Sequence, residues 1–276
     1  MTNKVGLIGF PVTHSISPTM HNAAFRELGM DWEYDAMAIP PDILKYGLRE
    51  PMQHGYIGLN VTIPHKEAVM RLVTPDPIAR AVGAINTIDF RTNTGTNTDV
   101  QGFIDDLKAY HIPLKDQTVA VLGAGGAARA AVYGLAREGA TVVVVNRTMQ
   151  KAQVMLADLT MSAGIKGIEA VTLDDAVDMP LSLIVNCTSA GLYPNIADSP
   201  WVDGVPFPRN ITVYDMIYRP MKTKFMTQAE NAGGRALGGL GMLVRQGALA
   251  FKLWTGIDAP FETMYATALI ELALKG

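Results

Sequence analysis

The stretch from Thr118 to Lys151 constrains the fold of this chain more than any other. It opens with the β-branched and apolar run Thr118–Leu122 and passes through Gly123-Ala124-Gly125-Gly126-Ala127-Ala128. An Ala-rich segment then runs to Gly139, followed by the second β-branched run Thr141–Val145 and by Asn146-Arg147-Thr148. Short apolar runs of this kind read as buried parallel strands. Ala is the best helix former and Gly a common helix stop, so residues 126–138 read as the helix joining the two strands. The unit is βαβ with glycines at its first turn. Gly123 permits the tight turn, Gly125 lets backbone approach a pyrophosphate, and Ala128 lets the helix pack closely on the strand. The helix start adds free N–H groups and a positive dipole end. Gly123, Ala124, Gly125, Gly126 and Ala127 are thus the candidate phosphate cradle; the alternative is a βα turn that serves structure alone.

The end of the second strand discriminates between cofactors. A free ribose 2′-OH is usually met there by Asp or Glu, whereas this chain offers Asn146, Arg147, Thr148 and, a turn later, Lys151, with no carboxylate before Asp158. Positive charge and hydroxyl donors suit a 2′-phosphate, which favours NADP over NAD. The competing reading is a solvated basic helix start.

A chain of 276 residues suggests about two domains. Apolar residues make up 49% and charged residues 18%, enough for substantial cores, and the net charge of −3 implies no surface for nucleic acid or another polyanion. Cys187 is the only cysteine, which excludes an intrachain disulfide and fits a reducing, cytoplasmic setting. It lies in an apolar run, so packing is its expected role. The N-terminal residues do not read as a signal peptide, and no run of about 18 uncharged apolar residues predicts a membrane span. No metal-ligand spacing is present.

Taken in order, Val5 to Ile8 reads as a first strand, and Ser15-Ile16-Ser17-Pro18 leads into a helix ending at Gly29. Ser17 before Pro18 suits an N-cap. Ser15 and Ser17 together, beside a helix start, equally suit a bound carboxylate. Trp32 to Ile39 reads as a second strand, 41–53 as a weak helix, and Ile57 to Ile63 as a third strand carrying Asn60 and Thr62. Those two share a face because the strand period is two. Pro64-His65-Lys66-Glu67 is expected to open another helix. Lys66 is open to a catalytic or an ordinary surface role, and His65 to a catalytic or a packing role. Ile88 to Arg91 reads as a fourth strand. A helix is expected near Gly102, which leaves Asp99 either as its N-cap or as a functional carboxylate.

The domain boundary is placed near residue 102. Beyond the βαβ unit, strands at 168–171, 181–187, 211–217 and 235–237 complete a doubly wound sheet. Thr188 sits in a polar turn at one strand's carboxyl end. A long amphipathic helix follows Gly238 and carries Met242 and Gln246 on one face. Gln246 there needs a partner, a core hydrogen bond or a ligand hydroxyl. A last helix starts near Asp258.

The separated motifs together resemble one family, the shikimate dehydrogenases. They are Ser15-Ile-Ser17-Pro18, Asn60-Val-Thr62-Ile-Pro-His-Lys66, Gly83-Ala-Ile-Asn86-Thr, Asn97-Thr-Asp99, the Gly123 cradle, Asn146-Arg147-Thr148, Tyr214-Asp-Met216-Ile-Tyr218 and the Met242-to-Trp254 helix. The resemblance implies reversible reduction of 3-dehydroshikimate to shikimate with NADPH, a step toward chorismate and the aromatic amino acids. It implies a substrate domain of residues 1–101, a Rossmann-type NADP domain of 102–238, and C-terminal helices, 239–276, returning to the first domain. Carried onto this sequence, Lys66 and Asp99 would form the catalytic pair. Ser15 and Ser17 would hold the substrate carboxylate, and Asn60, Thr62, Asn86, Tyr218 and Gln246 its ring and hydroxyls. Met216, Gly239 and Met242 would lie near the nicotinamide, with Thr188 among the cofactor contacts. The expected partners are small molecules only, in a monomer or homodimer. Two alternatives stand beside this: a broader quinate/shikimate dehydrogenase with some NAD use, and a non-catalytic dinucleotide-sensing regulator on the same fold.

Overall fold

The computed structural model describes residues 2–275 of the chain. The chain divides into two compact units, one of residues 2–102 and 243–275 and the other of residues 103–242.

The first unit contains β1 (Asn3–Gly9), α1 (Ser17–Glu27), β2 (Trp32–Ala38), α2 (Leu44–Gln53), β3 (Tyr56–Val61), β4 (Thr74–Pro75), α3 (Pro77–Val82), β5 (Thr87–Asp89) and β6 (Thr94–Thr96). It also contains the start of α4 (Thr98–Ala109). Its sheet runs β2-β1-β3-β5-β6-β4. The strands β2, β1 and β3 are mutually parallel, whereas β5 runs antiparallel to both β3 and β6. Ile8, Leu59, Val61 and Ile88 pack with Leu44 and Leu48 of α2 to form the core on one face.

The second unit contains β7 (Thr118–Leu122), α5 (Gly126–Arg137), β8 (Thr141–Val145), α6 (Met149–Ala163), β9 (Ile168–Val171), α7 (Leu173–Val177), β10 (Leu181–Asn186), β11 (Thr212–Asp215), α8 (Lys224–Asn231) and β12 (Arg235–Gly238). The six strands are all parallel in the order β12-β11-β10-β7-β8-β9. Strand alternation splits the buried residues between two cores. Val119 and Val121 pack with α5 and α6, while Ala120 and Leu122 pack with Trp201 and with Phe225 of α8. Helices therefore cover both faces, as an all-parallel sheet requires. The strand order reverses between β7 and β10, and ligands of such sheets sit beyond the carboxyl ends at that point.

The chain closes with α9 (Leu240–Thr255) and α10 (Phe261–Lys275). Within the first unit, α9 is tied to β5: Trp254 Nε1 donates to the Ile88 carbonyl at 3.0 Å, and Arg91 donates to the Trp254 and Leu253 carbonyls.

Three sequence expectations are corrected. Lys66 does not open an α-helix. It lies in a turn, and only a 3₁₀ segment, Ala68–Arg71, follows. The His65 side chain pins this turn to the Ile39 carbonyl, and the chain is already extended again in β4 from Thr74. Helix α4 begins at Thr98 rather than near Gly102, because the Thr98 N–H is taken by the Asn86 side chain at 2.7 Å. Asp99 is accordingly not an N-cap; it stands in the first turn, where a negative charge suits the dipole. The short elements β4, β6 and α3 had no pattern long enough to read, although Asp76 caps α3 through the Ala79 N–H.

Candidate active site

In the first unit, five of the candidate residues converge on one buried polar cluster. Lys66, on the turn after β3, places Nζ 2.6 Å from Asp99 Oδ2 on α4. The two side chains are 16% and 6% exposed, so the pair is sheltered but open to a ligand on the lysine side. The other oxygen, Asp99 Oδ1, accepts from Asn86 Nδ2 at 2.8 Å. Asn86 precedes β5, and its Oδ1 takes the Thr98 N–H that α4 presents. That N–H only donates, so the orientation of the Asn86 amide is fixed.

Gln246 enters from α9. Gly102 permits this approach, since a Cβ there would lie 2.8 Å from the Gln246 nitrogen. Three acceptors lie near Asn86 Nδ2, which carries two hydrogens: Asp99 Oδ1, Thr98 Oγ1 at 2.9 Å, and Gln246 Oε1 at 3.2 Å. Gln246 Oε1 has the weakest claim, while its Nε2 already donates to the Leu243 carbonyl at 2.7 Å. A ligand hydroxyl would complete that oxygen.

Asn60 is placed differently from the expectation. Its amide is committed within the fold: Nδ2 donates to the Asn86 carbonyl and to Thr87 Oγ1, and Oδ1 accepts from Tyr34. Both amide hydrogens are used, which leaves a ligand only the spare lone pair of Oδ1. Thr62 lies just beyond β3, half-buried, against Gly9 at the end of β1. His65 is buried, and its Nε2 donates to the Ile39 carbonyl at 2.7 Å, so it is a packed histidine that ties the Lys66 turn to the end of β2.

The part in starting α1 that was expected of Ser17 falls to Ser15. Helix α1 starts at Ser17 itself, with Ile16 at the N-cap, so Ser17 is not the cap. Instead Ser15 Oγ accepts the Ser17 N–H at 3.2 Å, satisfying one of the orphan donors at the helix start. Ser17 is buried and Ser15 half-buried beside this positive helix end, a setting suited to an anion.

In the second unit the glycine turn has the form a pyrophosphate needs. Gly123 adopts φ +115°, a conformation closed to most residues, and a Cβ on it would press on Cys187 and on Thr188, at the end of β10. Gly125 stands at the N-cap of α5, exposed, with open space where its Cβ would be. Gly126 and Ala127 form the first turn, and Ala128 is fully buried. After β8, Arg147 and Lys151 are exposed, and the Asn146 amide donates to the Thr148 carbonyl at 2.8 Å. These residues fit a dinucleotide carrying a 2′-phosphate.

The carboxyl ends of β10 and β11 are held together by side chains that sequence reading missed. Asp215, fully buried, accepts from Asn186 Nδ2 at 2.9 Å, the Ile217 N–H at 3.0 Å and Thr223 Oγ1 at 2.7 Å. Asn186 Oδ1 in turn accepts from the backbone and hydroxyl of Thr188. Met216 follows directly, its N–H bonded to the Asn186 carbonyl. Gly239 packs on Met216 so closely that a Cβ would lie 2.4 Å from its carbonyl oxygen. Met242 is buried in the same cluster. Tyr218 is half-buried, and desolvation pushes its phenol above the usual value, so it remains a donor at neutral pH. Asn186-X-Thr188 and Asp215 carry a weak signal in hindsight: polar residues ending otherwise apolar strands.

Among the described residues no group of three or more His, Cys, Asp or Glu is placed to hold a metal, and no helix is long and apolar enough to cross a membrane.

Comparison with known proteins agrees with this geometry. Residues 7–88 match the family model described as shikimate dehydrogenase substrate binding domain, residues 106–193 match shikimate / quinate 5-dehydrogenase, and residues 239–269 match the shikimate 5′-dehydrogenase C-terminal domain. The chain is 45% identical to shikimate dehydrogenase (NADP(+)) of Methanopyrus kandleri, with 98% of this chain and 96% of that protein covered. A crystal structure of a shikimate dehydrogenase in complex with NADP⁺ superposes with a TM-score of 0.89 at 35% identity, covering 98% of this chain and 96% of the other. That of the Thermus thermophilus enzyme in complex with NADP(H) and shikimate gives 0.87 at 37% identity, covering 98% and 100%.

Proposed function

Because the chain belongs to the shikimate dehydrogenase family, we propose that Lys66 and Asp99 are the pair through which it reduces 3-dehydroshikimate to shikimate, reversibly and with NADPH, in aromatic amino-acid biosynthesis. The observation that carries this reading is the Lys66–Asp99 contact of 2.6 Å, flanked by Asn86 and Gln246. When bound, the cofactor supplies the hydride. Reduction leaves negative charge on the former carbonyl oxygen, and that oxygen needs a positioned proton donor.

Lys66 serves as that donor, giving a proton to the oxygen on reduction and taking it back on oxidation. Asp99 holds the ammonium in place and is itself held by Asn86. Gln246 Oε1 takes a substrate hydroxyl and Thr62 adds a further hydroxyl contact, while the Asn86 amide, committed to Asp99, Thr98 and Thr87, orders the cluster around them. Ser15 and Ser17 hold the carboxylate at the start of α1. In the second unit the turn at Gly123 to Ala127 receives the pyrophosphate, Asn146, Arg147, Thr148 and Lys151 the adenosine 2′-phosphate, and Thr188, Met216, Gly239 and Met242 the nicotinamide end. The decisive experiment is NADP⁺ reduction driven by shikimate, with quinate and NAD⁺ as controls. Lys66→Met should lower kcat by about 10²–10⁴-fold, the usual worth of one acid–base group, while NADPH binding is unchanged. A Lys66→Met variant with near-full kcat would refute the assignment.

A further inference from the structure

The first unit contains a line of neutral side chains that ends on Asp99 and starts at a tyrosine outside every motif discussed so far. Tyr34, on β2, is 1% exposed, and its hydroxyl lies 2.8 Å from Asn60 Oδ1. Asn60 Nδ2 lies 3.0 Å from Thr87 Oγ1, which lies 3.0 Å from Asn86 Oδ1. Asn86 Nδ2 then meets Asp99 Oδ1 at 2.8 Å, and Asp99 Oδ2 meets Lys66.

The direction of each hydrogen follows from groups that have no choice. The Asn86 carbonyl only accepts, so the Asn60 atom facing it at 3.2 Å is Nδ2, and Oδ1 faces Tyr34. The Tyr34 hydroxyl must therefore donate. Thr87 Oγ1 accepts from Asn60 and passes its own hydrogen on, to Asn86 Oδ1 or Thr98 Oγ1. Asn86 Oδ1 also takes the Thr98 N–H, which leaves Nδ2 for the carboxylate. Each dipole supports the next, and in a dry interior such alignment strengthens the bonds.

The tyrosine ring is itself held. His21 of α1 stacks on it with centroids 4.3 Å apart and planes within 9°. Trp254 and Phe251 of α9 flank the histidine. Complete burial pushes the His21 imidazole down to about 3, so the stacked histidine is neutral throughout the working range of pH.

We propose that Tyr34 is a positioning residue for the reaction: its hydroxyl, aimed by the His21 stack, fixes Asn60 and, through Thr87 and Asn86, the Asp99 carboxylate that orients Lys66. The inference rests on Lys66 and Asp99 being the reacting pair. Tyr34→Phe keeps the stack and removes one hydroxyl, stranding Asn60 Oδ1 in the interior. Steady-state oxidation of shikimate by NADP⁺ should show kcat lowered on the order of tenfold, the scale of one unmade buried hydrogen bond, with the KM for NADP⁺ unchanged.

Asn60→Ala should give a similar fall. The double variant should be no worse than Asn60→Ala by more than about twofold, because the two residues act as one unit. Thr87→Val, near-isosteric, cuts the next link and should lower kcat comparably. Wild-type kcat in Tyr34→Phe, or falls that multiply in the double variant, would overturn the proposal. A change in thermal stability with kcat intact would mean a purely structural role and would overturn it equally. Should Tyr34→Phe fail to fold, Thr87→Val decides: full kcat there refutes the line. Lys66→Met separates the two levels, since its loss of kcat with Tyr34→Phe unaffected removes this inference alone.

Discussion

Asp215 gives a stability prediction whose sign and size both come from the structure. The carboxyl group is fully buried at the end of β11, and burial pushes its pKa from the ordinary 3.8 up to about 6. Three neutral donors, Thr223, the Ile217 N–H and Asn186, pull the other way but do not prevail. In the unfolded chain the group titrates near its ordinary value. Between about pH 4 and pH 6 the folded state therefore binds more protons than the unfolded state. Stability contributed by this group falls as pH rises through that window, by about 3 kcal/mol for a displacement of this size.

Asp215→Asn mimics the protonated form. Its Oδ1 retains the donors from Asn186 and Ile217, and its Nδ2 can donate to Thr223 Oγ1, which also accepts the Met226 N–H. The assay is urea unfolding of wild type and variant at intervals from pH 4 to pH 8, read as the difference in unfolding free energy. Other groups titrate in both proteins and cancel in that difference. The variant should gain on wild type by about 3 kcal/mol between pH 4 and pH 7, then hold constant. A difference that does not change with pH would show that Asp215 is ionised without penalty in the fold, and the burial argument would fail.

Three further outcomes follow from the site. Ser15→Ala should raise the KM for shikimate and destabilise the protein by about 1 kcal/mol, because Ser15 and not Ser17 serves the start of α1; unchanged stability on chemical denaturation would return the cap to another group. Ser17→Ala should raise the KM with no loss of helix capping, and an unaltered KM in both variants would remove the carboxylate assignment. Arg147→Ala should weaken NADP⁺ by roughly ten- to a hundredfold, the worth of charge-assisted bonds, and leave NAD⁺ nearly untouched; equal losses for the two cofactors, measured as KM, would place Arg147 on the adenine or in the fold.

The second unit was the more legible in sequence. Thr118–Leu122 and Thr141–Val145 form strands with the bounds their β-branched runs suggest, and Gly139 has the left-handed backbone of a helix stop. A buried parallel strand is a continuous apolar run, and its pattern survives without knowledge of its neighbours. The first unit resisted because its sheet is mixed. β4 has two residues, and β5 and β6 have three each, too short for any period to register. The start of α4 was misplaced for a different reason. What satisfies the Thr98 N–H is Asn86, twelve residues away in sequence and on a different element, and no local pattern records such a partner.

The same logic separates the site residues that sequence reading reached from those it missed. Gln246 is conspicuous as an amide on an apolar helix face, whereas Lys66, Asp99 and Asn86 lie among polar neighbours and were reached through the motifs that resemble the family. Of the residues that hold them, Thr87 and Thr98 lie inside the quoted motifs but are types that strands and helix starts use routinely, and Tyr34 lies in no motif at all. Yet a buried amide satisfies at most four hydrogen bonds, and Asn60 and Asn86 are both almost wholly buried. Their partners had to exist somewhere in the chain. Two buried amides and a buried carboxylate on neighbouring strands and a helix start require hydroxyl groups between them to match donors to acceptors. Thr87, next to Asn86, and Thr98, next to Asp99, meet that requirement for the inner half of the cluster. The outer half ends on Asn60 Oδ1, which needs a donor from a different strand, and the parallel register of β1 with β2 and β3 brings Tyr34 to that place. The demand for a donor was implicit in the amides; its identity as Tyr34 depended on strand order, which only the folded sheet supplies.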